Sequence, residues 1–248
     1  MLTRLLSATA LALVVGGPVA AFDMSAMSAE ERDALRSEIR AYLLDNPEVL
    51  MEAIQVLESR QADQQAADDI ALLQVNADAL LNDPTSWVGG NPDGDVTIVE
   101  FLDYRCGYCK RAHPEVAELI ASDGNIRLIV KEFPILGEES VQASRFALAV
   151  REVGGDEAYK AVNDGLMTMR GQISERSLRA MASDQGLDAD AVMAAMSSEA
   201  VQRIIAQNRA LGQRLSISGT PSFVFGDQMV RGYVPLDAMR EIIAEERG

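Results

Sequence analysis

The 248-residue sequence predicts an α/β domain with a helical insertion, preceded by an N-terminal helical arm. Three observations predict it. Two nearly continuous apolar runs rich in β-branched residues, DVTIVEFLDY (95–104) and IRLIVKEF (126–133), flank a segment of helical period, which makes a right-handed strand–helix–strand unit with adjacent parallel strands. A later run, SGTPSFVFGDQMVRGY (218–233), reads as two short strands around a Gly-Asp turn. Residues 28–81, by contrast, are helical in texture throughout and end at a cluster of Gly and Pro over 84–94.

The chain opens MLTRLLSATALALVVGGPVAAFD: Arg4, an apolar run from Leu5 to Val15, then small residues and helix breakers ending at Ala21. This pattern predicts a secretory signal peptide over 1–21, with Val19 and Ala21 at the two small-residue positions before the cut. The apolar stretch is too short to span a bilayer, so a soluble protein outside the cytoplasm is expected, not embedded in the membrane. A formal net charge of −16 disfavours nucleic acid and anionic lipid as partners. With 48% apolar residues there is material for one substantial core, and two cysteines are too few for a disulfide framework.

The arm is expected over 22–81. Ser28 with Glu31 is a capping-box signature, and Leu35, Ile39, Tyr42 and Leu43 recur on one helical face. Asn46-Pro47 restarts the pattern. Leu43, Leu50 and Leu57, with Ile54 between, form an apolar seam too narrow for a globular core. It fades in ESRQADQQAADD (58–69) and returns at Ile70, Leu73, Leu80 and Leu81. Two readings fit the seam: an arm that self-associates, with its polar middle a stalk or hinge, or an arm folded back on its own domain.

The domain proper is expected over 82–248. After the first strand a helix runs from about Cys106 to Ala121. After the second, residues of about 138–216 read as several helices punctuated by Gly154-Gly155, Arg170-Gly171 and Gln185-Gly186. The hairpin follows, then a last helix over Leu236–Glu246.

Both cysteines and the single histidine lie in FLDYRCGYCKRAHP (101–114). Cys106 opens a helix directly after a buried strand, where unpaired N–H groups and the helix dipole favour a thiolate, with Arg105, Lys110 and Arg111 adding positive charge. Cys106 should therefore be the more acidic and exposed sulfur. Cys109, nearly one turn on, comes within disulfide reach but faces inward. The pair suits thiol–disulfide exchange, with attack by Cys106 and resolution by Cys109. A structural zinc site lacks ligands, and covalent haem attachment would want histidine where Lys110 stands. Copper(I) stays open, because Cys106, Cys109 and His113 share roughly one helical face and thiolates suit that ion. Glu100 inside TIVEFL is costly unless paired, and Lys131 inside LIVKEF can supply the pairing.

VEFLDYRCGYCK, IVKEFP, a long helical stretch and SGTPSFVFG before the last helix, in that order, resemble the DsbA-like branch of the thioredoxin superfamily. The arm resembles that of the ScsC-like (suppressor of copper sensitivity) periplasmic proteins, whose N-terminal helices can oligomerise. The resemblance implies a thioredoxin fold with a DsbA-like helical insertion and a periplasmic thiol:disulfide oxidoreductase. It casts Cys106 as nucleophile, Cys109 as resolving cysteine, Pro221 as the cis-proline beside the disulfide, and Thr220 as backbone exposed to an extended substrate. Glu100 becomes the buried acid that relays a proton, with Lys131 its partner. Gly107 and Tyr108 replace the Pro-His of strongly oxidising members and match oligomeric isomerases. The activity expected is isomerase or reductase, with a dithiol oxidase or a copper(I)-binding protein as alternatives. No cofactor is expected beyond the Cys106–Cys109 disulfide itself. The expected partners are exported cysteine-containing proteins, a membrane redox partner and further copies of the chain.

Overall fold

The computed structural model describes residues 24–248, so the signal peptide expected over 1–21 lies outside the described residues. The chain divides into two compact units, Met1–Ser59 and Arg60–Gly248.

The first unit holds α1 (Ala29–Asp45) and the start of α2 (Glu48–Val75). The capping box is formed: the Glu31 N–H donates to Ser28 Oγ at 3.2 Å, and the Ser28 N–H to Glu31 Oε2 at 2.8 Å. Asn46 closes α1 rather than opening α2, its backbone and side-chain N–H groups both reaching the Tyr42 carbonyl. No residue of α1 is buried. The polar middle of the arm, expected as a stalk or hinge, is unbroken helix, because its Arg, Gln and Ala residues are good helix formers.

The second unit is built on a five-stranded sheet of order β1-β3-β2-β4-β5. β2 (Val96–Leu102) and β3 (Ile126–Glu132) pair in parallel at its centre and bury both faces, as their unbroken apolar runs require. α4 (Gly107–Asp123) connects them and stops at Gly124, whose left-handed backbone (φ 76°) ends the helix without a Cβ penalty. β4 (Ser222–Phe225) and β5 (Gln228–Arg231) form the expected hairpin, with β4 antiparallel both to β5 and to β2. β1 (Trp87–Gly90) is an element the sequence does not announce: it sits inside the Gly- and Pro-rich stretch, at the sheet edge beside β3, where a short strand ending in two glycines is tolerated. The connection between β3 and β4 holds α5 (Glu138–Thr168), α6 (Glu175–Asp184), α7 (Ala189–Ala195) and α8 (Glu199–Arg214), and α9 (Leu236–Arg247) closes the chain. Gly155, at φ 80°, divides α5 into two helical halves.

Alternation along the strands sorts the core into two layers. Ile98, Leu102, Leu128, Val130 and Phe223 face α4, α5 and α9. Val99, Phe101, Ile129 and Phe133 face the other way, where Leu73 of α2, Leu80 of α3 (Ala77–Leu81) and Leu211 of α8 cover them. A Cβ at Gly212 would lie 2.5 Å from the Phe133 ring, so glycine lets α8 approach β3 closely. Buried Asp69 of α2 takes both terminal nitrogens of Arg231 on β5 at 2.7 Å. The helical segment 60–81 thus packs on the sheet, and the second unit begins ahead of the boundary expected at 81/82.

This division predicts unequal truncations. Leu73→Ala is expected to lose about 2–5 kcal/mol in urea unfolding. Leu50→Ala, below any self-association, should stay within about 0.5 kcal/mol of the parent.

Candidate active site

β2 hands over to α4 at Asp103-Tyr104-Arg105, and Cys106 is the N-cap of α4. Its backbone is extended (φ −76°, ψ 118°), and its sulfur accepts the Cys109 N–H at 3.4 Å. An oxygen side chain usually fills that position and accepts from the first turn. A sulfur there is stabilised most when ionised, because the orphan N–H groups and the positive helix end both favour negative charge. Cys109 is fully buried, and both cysteines are free thiols.

Cys106 is less open than the sequence predicts: it is 7% accessible. The Thr220–Pro221 segment, joined by a cis peptide bond, lies beside it, with the Thr220 carbonyl oxygen 3.0 Å from Sγ as acceptor of the intact thiol. The Cys106 thiol is lowered to about 5, chiefly by a hydrogen bond from the Cys109 thiol, with the Thr220 side chain and first-turn N–H groups helping and burial opposing. Cys109 is pushed far up, because its proton is the one donated in that bond and because it is buried, with the Glu100 charge adding to the effect. One sulfur is ready to attack while its neighbour stores a proton.

The basic flank does not produce this acidity. Arg105 is paired with Glu139 at 2.9 Å, Lys110 reaches the Met169 carbonyl, and Arg111 lies 4.5 Å over the Tyr233 ring. Hydrogen bonds within the first turn replace the expected field of cationic side chains. Between the cysteines, Gly107 faces open space, and Tyr108, 61% exposed, stacks on Tyr233 at 6.0 Å.

The expected pairing of Glu100 with Lys131 does not form. In the register of β2 and β3, Glu100 lies opposite Val130, and Lys131 lies opposite Phe101. Adjacent positions point to opposite faces, so the single-residue offset puts the two charges on different sides of the sheet. Lys131 Nζ instead donates to Asp83 Oδ2 at 2.7 Å and to the Ala79 carbonyl at 2.8 Å, and serves the anchoring of the segment before β1. Asp83 is held down at about 2 by hydrogen bonds from Lys131 and Thr85, against its burial. Glu100 stays on the α4 side, 2% exposed, with Oε1 lacking a partner. Burial first, and then the Glu132 charge, push it up to about 8.

Sequence reasoning missed two acids. Asp103 accepts the Arg105 N–H through Oδ1 and the Ile135 and Leu136 N–H groups through Oδ2, which ties the active-site turn to the loop after β3. An Asp two residues before a turn N–H was the available signal. Glu132 was hidden by its position beside Lys131 at a strand end. Its Oε1 accepts the hydroxyls of Tyr104 and Tyr159, each at 2.6 Å. His113 Nε2 lies 2.7 Å from Asp164 Oδ1, and burial lowers its pKa against that partner. His113, Lys160 and Asn163 share with Glu100 the lining of a cavity of about 270 Å³ behind α4. Among the described residues, no group of three or more His, Cys, Asp or Glu side chains is placed to hold a metal ion.

Alkylation of the reduced protein should follow a single midpoint near pH 5, set by Cys106. Cys109→Ala removes its largest cause, so the midpoint should climb by more than one unit, and a midpoint unmoved by Cys109→Ala would contradict the hydrogen-bond origin of the acidity.

A family model described as the DSBA-like thioredoxin domain matches residues 97–244, and one described as the copper resistance protein ScsC N-terminal domain matches residues 31–64. A thioredoxin-like oxidoreductase from Silicibacter pomeroyi is 44% identical, with a TM-score of 0.64 over 68% of this chain and 96% of that one. Proteus mirabilis ScsC, in a transitional conformation, is 29% identical with a TM-score of 0.64 over 90% and 97%. The thiol-disulfide exchange protein alpha-DsbA2 from Wolbachia pipientis is 29% identical with a TM-score of 0.68 over 73% and 97%. Among curated proteins, the Na(+)/H(+) antiporter NhaA 1 of Salinispora arenicola is 28% identical over 153 residues, a match that spans 23% of that protein's length.

Proposed function

The chain belongs to the DSBA-like thioredoxin family, and from that premise we propose that it is a periplasmic thiol:disulfide oxidoreductase acting as isomerase or reductase on exported proteins. The observation that carries this reading is the inequality of the two thiols, one lowered to about 5 and its neighbour driven upward. The Cys106 thiolate attacks one sulfur of a client cystine. The client S–S bond breaks, a mixed disulfide forms on Cys106, and the other client sulfur leaves as a thiolate. In isomerisation that thiolate, or another client thiol, attacks again until Cys106 is released reduced. In reduction Cys109 gives up its proton to the Glu100 carboxylate, and its thiolate attacks Cys106. The client then leaves as a thiol, and the enzyme disulfide awaits two electrons from a membrane dithiol partner. Thr220 offers backbone beside Pro221 to an extended client segment.

Support for isomerase over oxidase comes from Gly107-Tyr108 and from the arm. Leu50, Ile54 and Leu57 are 49%, 48% and 55% exposed, a seam that suits self-association and a client held between two sites. The acidity of Cys106 favours an oxidase as a second reading, because a stabilised thiolate also makes the disulfide a stronger oxidant. Copper(I) capture by the two thiolates is a third, suggested by the description of the N-terminal family. The periplasmic setting is supported by similarity to a periplasmic thioredoxin-like protein from Salmonella enterica, 27% identical, and among the described residues no helix is long and apolar enough to cross a membrane.

Refolding of scrambled against reduced ribonuclease separates the first two readings: recovery of activity from the scrambled form is expected, and recovery from the reduced form alone would make the protein an oxidase. Copper(I) titration of Cys106→Ser, compared with the parent, tests the third. For the arm, Leu50→Lys with Leu57→Lys is expected to lower the mass in light scattering to that of one chain, with loss of isomerase activity but retained insulin reduction.

A further inference from the structure

Glu132 has no part in the exchange just described, yet it is buried on the same sheet face as the acid that does. Glu100 and Glu132 lie on neighbouring parallel strands. Glu100 is opposite Val130 and Glu132 opposite Leu102, so the two carboxyls sit on that face one pleat apart. They are 2% and 1% exposed. Each keeps one oxygen without a partner, Glu100 Oε1 and Glu132 Oε2. The cation that would have neutralised Glu100, Lys131, is spent on the other face of the sheet.

We propose that Glu132 is a positioning residue for the thiol exchange: it forms one coupled carboxyl pair with Glu100, and its charge sets how readily Glu100 takes the proton of Cys109. The inference rests on the reading of Glu100 as that proton's acceptor.

Two like charges on one buried face cannot both ionise freely, so their protons leave in two steps that belong to the pair. The order is set by hydrogen bonds. Glu132 Oε1 accepts Tyr104 and Tyr159, and Tyr104 is in turn held by the Asn163 amide at 3.0 Å, whereas no hydrogen bond reaches Glu100 Oε1. Glu132, raised by burial but eased by those hydroxyls, stands at about 7, and Glu100, raised by burial and by Glu132, at about 8. Of the pair, Glu132 is therefore the one whose ionisation the hydrogen bonds favour, and Glu100 the one that keeps its proton longer. The other groups acting on the pair are the Ser144 side chain and Asp103 on Glu132 and, around Glu100, Cys109 together with His113 and Lys160 of the shared cavity. Tyr104, in the active-site turn two residues before Cys106, makes this network contiguous with the thiols.

In resolution the Cys109 S–H bond breaks, its proton joins the Glu100 carboxylate, and the electron pair left on sulfur attacks Cys106 as the client sulfur departs. Resolution should then accelerate as pH rises through about 8, where Glu100 becomes available as a base. Glu132→Gln keeps an acceptor for both tyrosines and removes the charge. The pH midpoint of resolution is expected to fall by roughly one unit, with resolution at pH 7 about fivefold faster and the rate of Cys106 attack unchanged. Carbon-13 NMR of the glutamate carboxyls in the full reduced chain reads the coupling directly: two steps in the parent and a single, lower Glu100 step in Glu132→Gln. Tyr159→Phe should move the lower step upward, opposite to the change in Glu132→Gln, which loss of packing alone would not produce. A Glu100 titration unaltered in Glu132→Gln overturns the proposal. If the titration shifts while resolution keeps its pH profile, the coupling stands and the assignment of Glu100 as the proton acceptor fails.

Discussion

The hydrogen bonding of Cys109 to the Cys106 sulfur is the interaction on which the rest of the site depends. Cys106 is acidic mainly because Cys109 donates to it, and Cys109 is held protonated by the same bond. The geometry needed is narrow. A helix must begin at the first cysteine, so that the first-turn N–H groups face its sulfur, and the second cysteine must turn inward within one turn. Strand β2 ends four residues before Cys106, and Asp103 locks the intervening turn to the loop after β3. The sulfur's other neighbour, Thr220, comes from the far end of the chain, delivered by the strand beside β2. The sheet order thus decides what stands beside the sulfur.

Beneath the thiols the fold accepts a cost. Two acids buried without a cation are among the more expensive features a core can contain, and they persist by protonation and by hydrogen bonding to tyrosine. The same burial that would destabilise a carboxylate makes each group a proton acceptor tuned close to neutrality. A salt bridge to Lys131 would have kept Glu100 ionised and useless for storing a proton. By placing that lysine one residue out of register, the sheet keeps the stabilising pair, Lys131 with Asp83, away from the chemistry.

The thiol pair, the central strands and the cap at Cys106 were legible because each rests on local signals, spacing, β-branched runs and a turn, whereas the place of Thr220-Pro221 beside the thiols came from the family resemblance. The source of the acidity was not. Arg105, Lys110 and Arg111 are conspicuous in an acidic chain, but their partners, Glu139, the Met169 carbonyl and the Tyr233 ring, lie 34 or more positions away and appear only on folding. The Glu100–Lys131 pairing failed for a related reason. Two strands known only as apolar runs leave register undetermined by one residue, and one residue decides the face. Glu132, which register brings beside Glu100, carries no signal in the sequence that marks it as buried. β1 was invisible because four residues with two glycines carry no periodicity.

The arm raises the opposite problem, a surplus of apolar side chains with no core. α1 buries none of its 17 residues, and α2 buries only Asp69 and Leu73, both beyond Ser59. Helix nucleation is costly in water, and most helical stability in proteins comes from packing one face. Leu35, Ile39 and Tyr42 on α1 and Leu50, Ile54 and Leu57 on α2 are the faces available. Whatever covers them stabilises the helices by the same act, so helix content of the arm and its association are linked quantities. Dilution that separates copies should then loosen the arm, while the thiol pair, whose neighbours all lie after Arg60, keeps its acidity.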